Sequence, residues 1–151
     1  MIDAYRRTGR LEGRCLCGSV TITLDGAHVA AVGVCHCSMC QRWNGVLHAS
    51  FDAAPDAVSV SGAVVRHASS EFSERAFCAV CGSHLWMRDT TAEDANFELM
   101  PGLFPAARDF PLVSEIYTDS APAYLPLSGD HRRATRADYE SQHPFVEGDT
   151  P

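Results

Sequence analysis

Seven cysteines in a chain of 151 residues are the side chains best able to do chemistry. They form three groups: Cys15-x-Cys17, Cys35-x-Cys37-x-x-Cys40 and Cys78-x-x-Cys81. An odd count does not fit a simple disulfide framework, and clustered cysteines in a reducing compartment serve as metal ligands or reactive thiols. Two sulfurs at i and i+2 on extended chain face the same side. Cys78-Ala-Val-Cys81-Gly82 has the form of a knuckle, with a glycine that lets the backbone turn tightly beneath a metal. Structural zinc takes four ligands in a tetrahedron, so seven thiols divide as four plus three. The middle group holds three sulfurs within six residues and is the natural three-ligand set. Cys15, Cys17, Cys78 and Cys81 then close a four-ligand site. A three-ligand site leaves one position open to water or substrate. Spacing alone leaves two other uses of Cys35, Cys37 and Cys40 open. A fourth protein ligand makes the site purely structural, and a metal-free trio makes a thiol redox sensor.

The elements that must position these groups are short. Residues 10–24 read as a hairpin turning at Cys17-Gly18, and Asp25-Gly26 reads as a further turn. A buried strand is expected over 28–34, leading into the middle group. Ser38 reads as the cap of a short helix through Asn44, stopped by Gly45. Further strands are expected over 46–51, 58–60, 64–69, 71–77, 85–88, 96–100 and 113–118. A loop carrying Pro101, Phe104, Pro105, Phe110 and Pro111 precedes the last. The polar tail from Ser128 predicts one or two helical turns and a frayed end. Many short strands between Gly and Pro turns define a mostly β domain.

Composition removes several classes of function. The chain is 46% hydrophobic and 21% charged, which fits one folded domain. Its formal charge is −7, and all 12 basic residues are arginine. There is no lysine for a Schiff base or a phosphate loop, and the acidic balance argues against nucleic acid as a partner. The longest apolar run, 29–35, falls far short of the ~20 residues of a membrane span. The N-terminus lacks the apolar stretch of a signal peptide, so the expected location is the cytoplasm, with no membrane partner. His36, between two cysteines, is expected to point away from their metal, into the core or behind the ligands. His48 is expected at the surface, while His28, His67, His84, His131 and His143 carry no signal. Arg42 suits a ligand carboxylate or an exposed ion pair. Trp43, Phe104 and Phe110 read as core or as an apolar wall over the site.

Three motifs in order carry a family resemblance: Gly13-x-Cys15-x-Cys17-Gly18-x-Val20; Cys35-His36-Cys37-x-x-Cys40-x-Arg42-x-x-Gly45; and Phe77-Cys78-x-x-Cys81-Gly82-x-x-Leu85. Together they resemble the glutathione-dependent formaldehyde-activating enzymes, which share their domain with centromere protein V. The resemblance implies a β-tent zinc-binding fold of short antiparallel strands over residues 10–127, with 128–151 as a polar extension. It implies a structural zinc on Cys15, Cys17, Cys78 and Cys81, and a catalytic zinc on Cys35, Cys37 and Cys40, two per chain. The implied activity is that of a carbon–sulfur lyase, run toward S-hydroxymethylglutathione from glutathione and formaldehyde. Its partners are thus a small thiol and an aldehyde, with Arg42 as a candidate glutathione contact. The alternatives are a non-enzymatic zinc scaffold and a thiol redox sensor. The chain departs from the family where Gln41 follows the third middle cysteine, where Glu115 replaces a frequent histidine, and where Ala123-Tyr124 follows Ala121-Pro122. These positions bear on the choice of thiol more than on the fold.

Overall fold

The computed structural model describes residues 2–146. Among them are strands β1 (Arg6–Arg14), β2 (Thr21–Val29), β3 (Val32–Cys35), β4 (His48–Ala53), β5 (Val58–Ser61) and β6 (Val64–Ala68). Then follow β7 (Ser73–Cys78), β8 (His84–Asp89), β9 (Phe97–Leu99), β10 (Leu112–Ile116) and β11 (Arg132–Ala134), with helices α1 (Ser38–Asn44) and α2 (Arg136–Gln142). The protein is mostly β. Its contacts separate two units, one of residues 1–31 and 50–111, the other of 32–49 and 112–151. Among the described residues, no helix is long and apolar enough to cross a membrane.

The first unit is antiparallel throughout. β1 and β2 form a hairpin in register from Arg6 opposite Val29 to Arg14 opposite Thr21. β2 pairs onward with β5 and meets β4 at His28 opposite Ala53. The succession β4–β9–β8–β7–β6 completes the unit. Alternation along β2 sends Ile22 and Leu24 inward and Thr21 and Asp25 outward, as a half-buried strand requires. They pack with Val20, Phe51, Leu85, Trp86, Leu99 and Phe104. Phe51 stands edge-on to Phe104 and Phe110, with ring centroids 5.3 and 5.4 Å away. The rings of the Pro- and Phe-rich loop therefore belong to the core, while Pro105 and Pro111 stay exposed. The same packing explains Gly13: a Cβ there would lie 2.7 Å from the Phe104 ring, so only glycine brings β1 this close on its way to Cys15.

Asp25-Gly26 is not a turn. Both residues lie inside β2, opposite Arg10 and Gly9, because cross-strand pairing outweighs local turn preference. The strand expected over 28–34 is broken at Ala30–Ala31, which separates β2 from β3.

The second unit pairs its strands in parallel. β10 lies between β3 and β11, with Glu115 opposite Val34 on one side and Arg133 on the other. Parallel neighbours need a crossover connection, and residues 36–111 and 117–131 supply the two. Antiparallel pairing, expected for the whole fold, thus characterises the first unit. Helix α1 begins at Ser38, so its cap falls one residue before the expected one. Cys37, on extended backbone, is the N-cap, and its sulfur accepts the Cys40 N–H, while Gly45 caps the other end. The helical turns expected in the tail are α2, opened by a capping box between Thr135 and Asp138. The frayed end expected beyond it extends outside the described residues.

Candidate metal centres

The first-unit cluster unites two turns. Cys15 and Cys17 follow β1, Cys78 ends β7, and Cys81 lies in the turn to β8. The four sulfurs lie within 4.8 Å of one another, with Cys15 to Cys17 at 3.6 Å and Cys17 to Cys78 at 3.9 Å. A zinc tetrahedron with ~2.3 Å bonds has sulfur–sulfur edges of about 3.8 Å, which these distances bracket. Donors converge on the sulfurs. The Val20 N–H reaches Cys15 Sγ at 3.3 Å, and those of Val80 and Cys81 reach Cys78 Sγ at 3.4 and 3.5 Å. Ser19 Oγ lies 3.0 Å from Cys17 Sγ and 3.3 Å from Cys78 Sγ, and Ser83 Oγ lies 3.2 Å from Cys81 Sγ. The Ser83 hydroxyl and N–H draw the Cys81 thiol down to about 5, and the Cys81 N–H holds Cys78 below its ordinary value. At Cys78 and Cys81 these donors favour the thiolate, the form a metal takes, whereas the Cys17 thiol is raised despite its Ser19 donors, by burial and the neighbouring sulfurs. Gly82, at φ 76°, closes the Cys78–Cys81 turn in a backbone region that favours glycine. Neither serine stood out in the sequence. Their signal was the triplet Cys-Gly-Ser, which occurs at both Cys17-Gly18-Ser19 and Cys81-Gly82-Ser83.

The second-unit cluster is local. Cys35 ends β3, Cys37 caps α1 and Cys40 lies in its first turn. Their sulfurs also lie within 4.8 Å of one another. Hydrogen bonding with the Cys37 and Cys40 sulfurs, followed by burial, drives the Cys35 thiol far above its ordinary range. Three thiolates at this spacing repel one another, so an ionised trio needs a cation in its midst. The donor set therefore suits a soft or borderline divalent metal, with three protein ligands.

Tyr117 packs against Cys37 and Cys40 together with Tyr139, whose ring centroid is 5.5 Å from its own. It is the one non-glycine residue with positive φ among the described residues, at φ 55° and ψ 43°. Such a conformation in a buried tyrosine is held by its surroundings. Its hydroxyl donates to Glu140 at 3.2 Å, and burial, reinforced by the Glu140 charge, raises its pKa. Gln41 Nε2 donates to the carbonyls of His36 and Ser120, pinning α1 to the cysteine turn.

The histidines divide. His36 is fully buried as expected, its Nε2 2.6 Å from Glu115 Oε1. His131, which carried no signal, is buried with Nε2 2.8 Å from Glu115 Oε2. Burial by itself raises the Glu115 carboxyl, but the hydrogen bonds from His131 and His36 outweigh it and hold the group below its ordinary value. His48, expected at the surface, is buried, with Nδ1 3.2 Å from the Asn44 amide, because β4 turns this position inward. Arg42 is exposed in the last turn of α1 and makes no ion pair among the described residues. Phe104 and Phe110 belong to the first unit's core.

A mostly β chain with a four-sulfur and a three-sulfur cluster defines a cysteine-rich protein able to hold metal at two centres. The pattern of the glutathione-dependent formaldehyde-activating enzymes matches residues 10–120, and the chain belongs to that family. It is 28% identical over 118 residues to an uncharacterized lyase of Schizosaccharomyces pombe, covering 74% of this chain and 80% of that one. It is 34% identical over 92 residues to a Halomonas elongata protein named as a candidate glutathione-dependent formaldehyde-activating enzyme, covering 52% of this chain and 56% of that one.

Proposed function

We propose that the protein is a zinc-dependent carbon–sulfur lyase that joins glutathione and formaldehyde as S-hydroxymethylglutathione, with zinc at both clusters. The observation that carries this reading is the three-sulfur set of Cys35, Cys37 and Cys40, one ligand short of a closed tetrahedron among the described residues. Zinc bound there supplies positive charge and a Lewis-acidic position that favours a thiolate over a thiol. The chain's own residues do the rest. Cys35, Cys37 and Cys40 hold the metal, and Gln41 fixes the turn between them through the His36 carbonyl. Tyr117 and Tyr139 give the cluster an apolar flank that limits water. Exposed Arg42 has the fork geometry to take a carboxylate of the tripeptide. In the net reaction a carbon–sulfur bond forms, the carbonyl π bond breaks, and the sulfur's proton ends on the new hydroxyl oxygen. Cys15, Cys17, Cys78 and Cys81 hold the structural metal.

Native mass spectrometry of the reduced chain, paired with the rate of adduct formation above the uncatalysed background, tests the reading. Two zincs are expected, with glutathione retained only when the middle cluster is loaded. Cys37→Ser should abolish rate enhancement in a folded chain. Two zincs without rate enhancement would identify a scaffold instead, and a Cys37→Ser chain that kept its rate would remove the middle cluster from the chemistry.

A further inference from the structure

We propose that Glu115, clamped by His131, is a positioning residue for the middle cysteine cluster: it fixes His36 and thereby aims the Cys35–Cys37 turn. The inference rests on the metal reading of that cluster. His36 lies between two of the three sulfur ligands. On extended chain its side chain points opposite to theirs, so holding the back of the turn sets where the front points. The residue is held at three places. Its N–H donates to the Ile116 carbonyl at 3.1 Å, its carbonyl accepts from Gln41, and its ring meets Glu115. Among the described residues, Nδ1 of His36 and Nδ1 of His131 make no hydrogen bond, so Glu115 is the single hydrogen-bond partner of each ring.

Glu115 can do this because it accepts on both oxygens at once. It is buried, and a buried carboxylate is costly unless its lone pairs are met. His36 meets Oε1 and His131 meets Oε2, with Arg133 Nε at 3.4 Å from Oε2. The parallel register places Glu115 between Val34 of β3 and Arg133 of β11, within reach of both histidines. His131 and Arg133 lie beyond residue 120, where the family match ends. The segment that reads as a polar extension thus supplies the outer half of the clamp.

Full-length reduced protein loaded with zinc decides the matter by chelator titration, with metal counted by native mass spectrometry and released cysteines mapped by alkylation. A glutamine at 115 offers one acceptor oxygen and an amide that only donates, so it cannot accept from both rings. Glu115→Gln should release the middle metal at about 10-fold lower chelator, with the four-cysteine cluster unchanged; this is the low end of the cost of losing a hydrogen bond to a ligand itself, because Glu115 acts through His36. His131→Gln keeps a donor to Glu115 and should hold its metal better than His131→Leu, whereas a role in packing alone would rank the two together. If Glu115→Gln releases both metals at once, the chain has lost its fold and the ranking of the two His131 variants decides. Glu115→Gln that keeps its middle metal as tightly as wild type, or equal His131 variants, overturns the inference. A wild-type chain that never loads the middle cluster overturns the proposed function as well.

Discussion

Removing cysteines from the two clusters should cost unequal amounts of stability. A metal stabilises the native state only so far as the unfolded chain cannot hold it equally well. Cys35, Cys37 and Cys40 lie within a short local stretch, so the unfolded chain can still gather all three. The four-cysteine clamp joins Cys17 to Cys78 across 61 positions. In the chain-entropy treatment of cross-links, closing a loop of 61 residues costs the unfolded state about 4 kcal/mol. Closing the loop from Cys35 to Cys40 (40 − 35 = 5) costs about 2 kcal/mol. The matched variants are Cys78→Ser with Cys81→Ser, and Cys37→Ser with Cys40→Ser, each losing two thiols. Urea unfolding in zinc-replete, reducing buffer should show the first pair less stable than the second by about 2 kcal/mol or more. Adding excess chelator should bring the stabilities together. Equal losses in zinc, or a larger loss from the middle pair, would refute the argument that the first cluster works as a long-range clamp.

Two further perturbations separate other contributions. Tyr117→Phe leaves the left-handed backbone and the ring packing in place and removes the hydroxyl that donates to Glu140. It should cost about 1 kcal/mol in urea unfolding, and a loss below about 0.3 kcal/mol would show that the bond adds nothing over water. Asp52, opposite Glu98 on the neighbouring strand, has its carboxyl raised from 3.8 to about 6 by burial and by the Glu98 charge, with Arg6 opposing. A carboxyl raised on folding favours the native state at low pH and loses that advantage as pH rises through about 6. Asp52→Asn should therefore stabilise the protein at pH 8 by at most about 3 kcal/mol, with the gain shrinking toward pH 5. A gain that grew on acidification would reverse the assignment.

The division of the cysteines into two pairs and a trio was legible because ligand spacing is a local property, and the union of the pairs followed from counting four sulfurs to a tetrahedron. Cys78-x-x-Cys81 fixes two sulfurs on one turn whatever the rest of the chain does. Helix α1 was legible within a residue for the same reason: Gly45 marks its end locally, and only the cap moved from Ser38 to Cys37. Failures came where a distant partner decides. Asp25-Gly26 looks like a turn until Arg10 and Gly9 pair with it. His48 looks like a surface residue until β4 turns it inward. The residues that pair with Asp25 and Gly26 lie on another strand, outside any short window around them.

The tail shows the same limit from the polar side. Read alone, the residues after Ser128 look solvated, since histidine, arginine and glutamate are ordinary surface types. In the second unit two of them answer buried polar groups elsewhere in the chain: His131 meets the Glu115 carboxylate, and Glu140 meets the Tyr117 hydroxyl. Both buried partners belong to β10 or its end, beside the strand that leads into Cys35. A leucine in place of either tail residue would make the segment look more like core and would take a hydrogen-bond partner from a buried polar group. Polarity in this tail is therefore complementary to a polar interior, and its composition follows from what it covers.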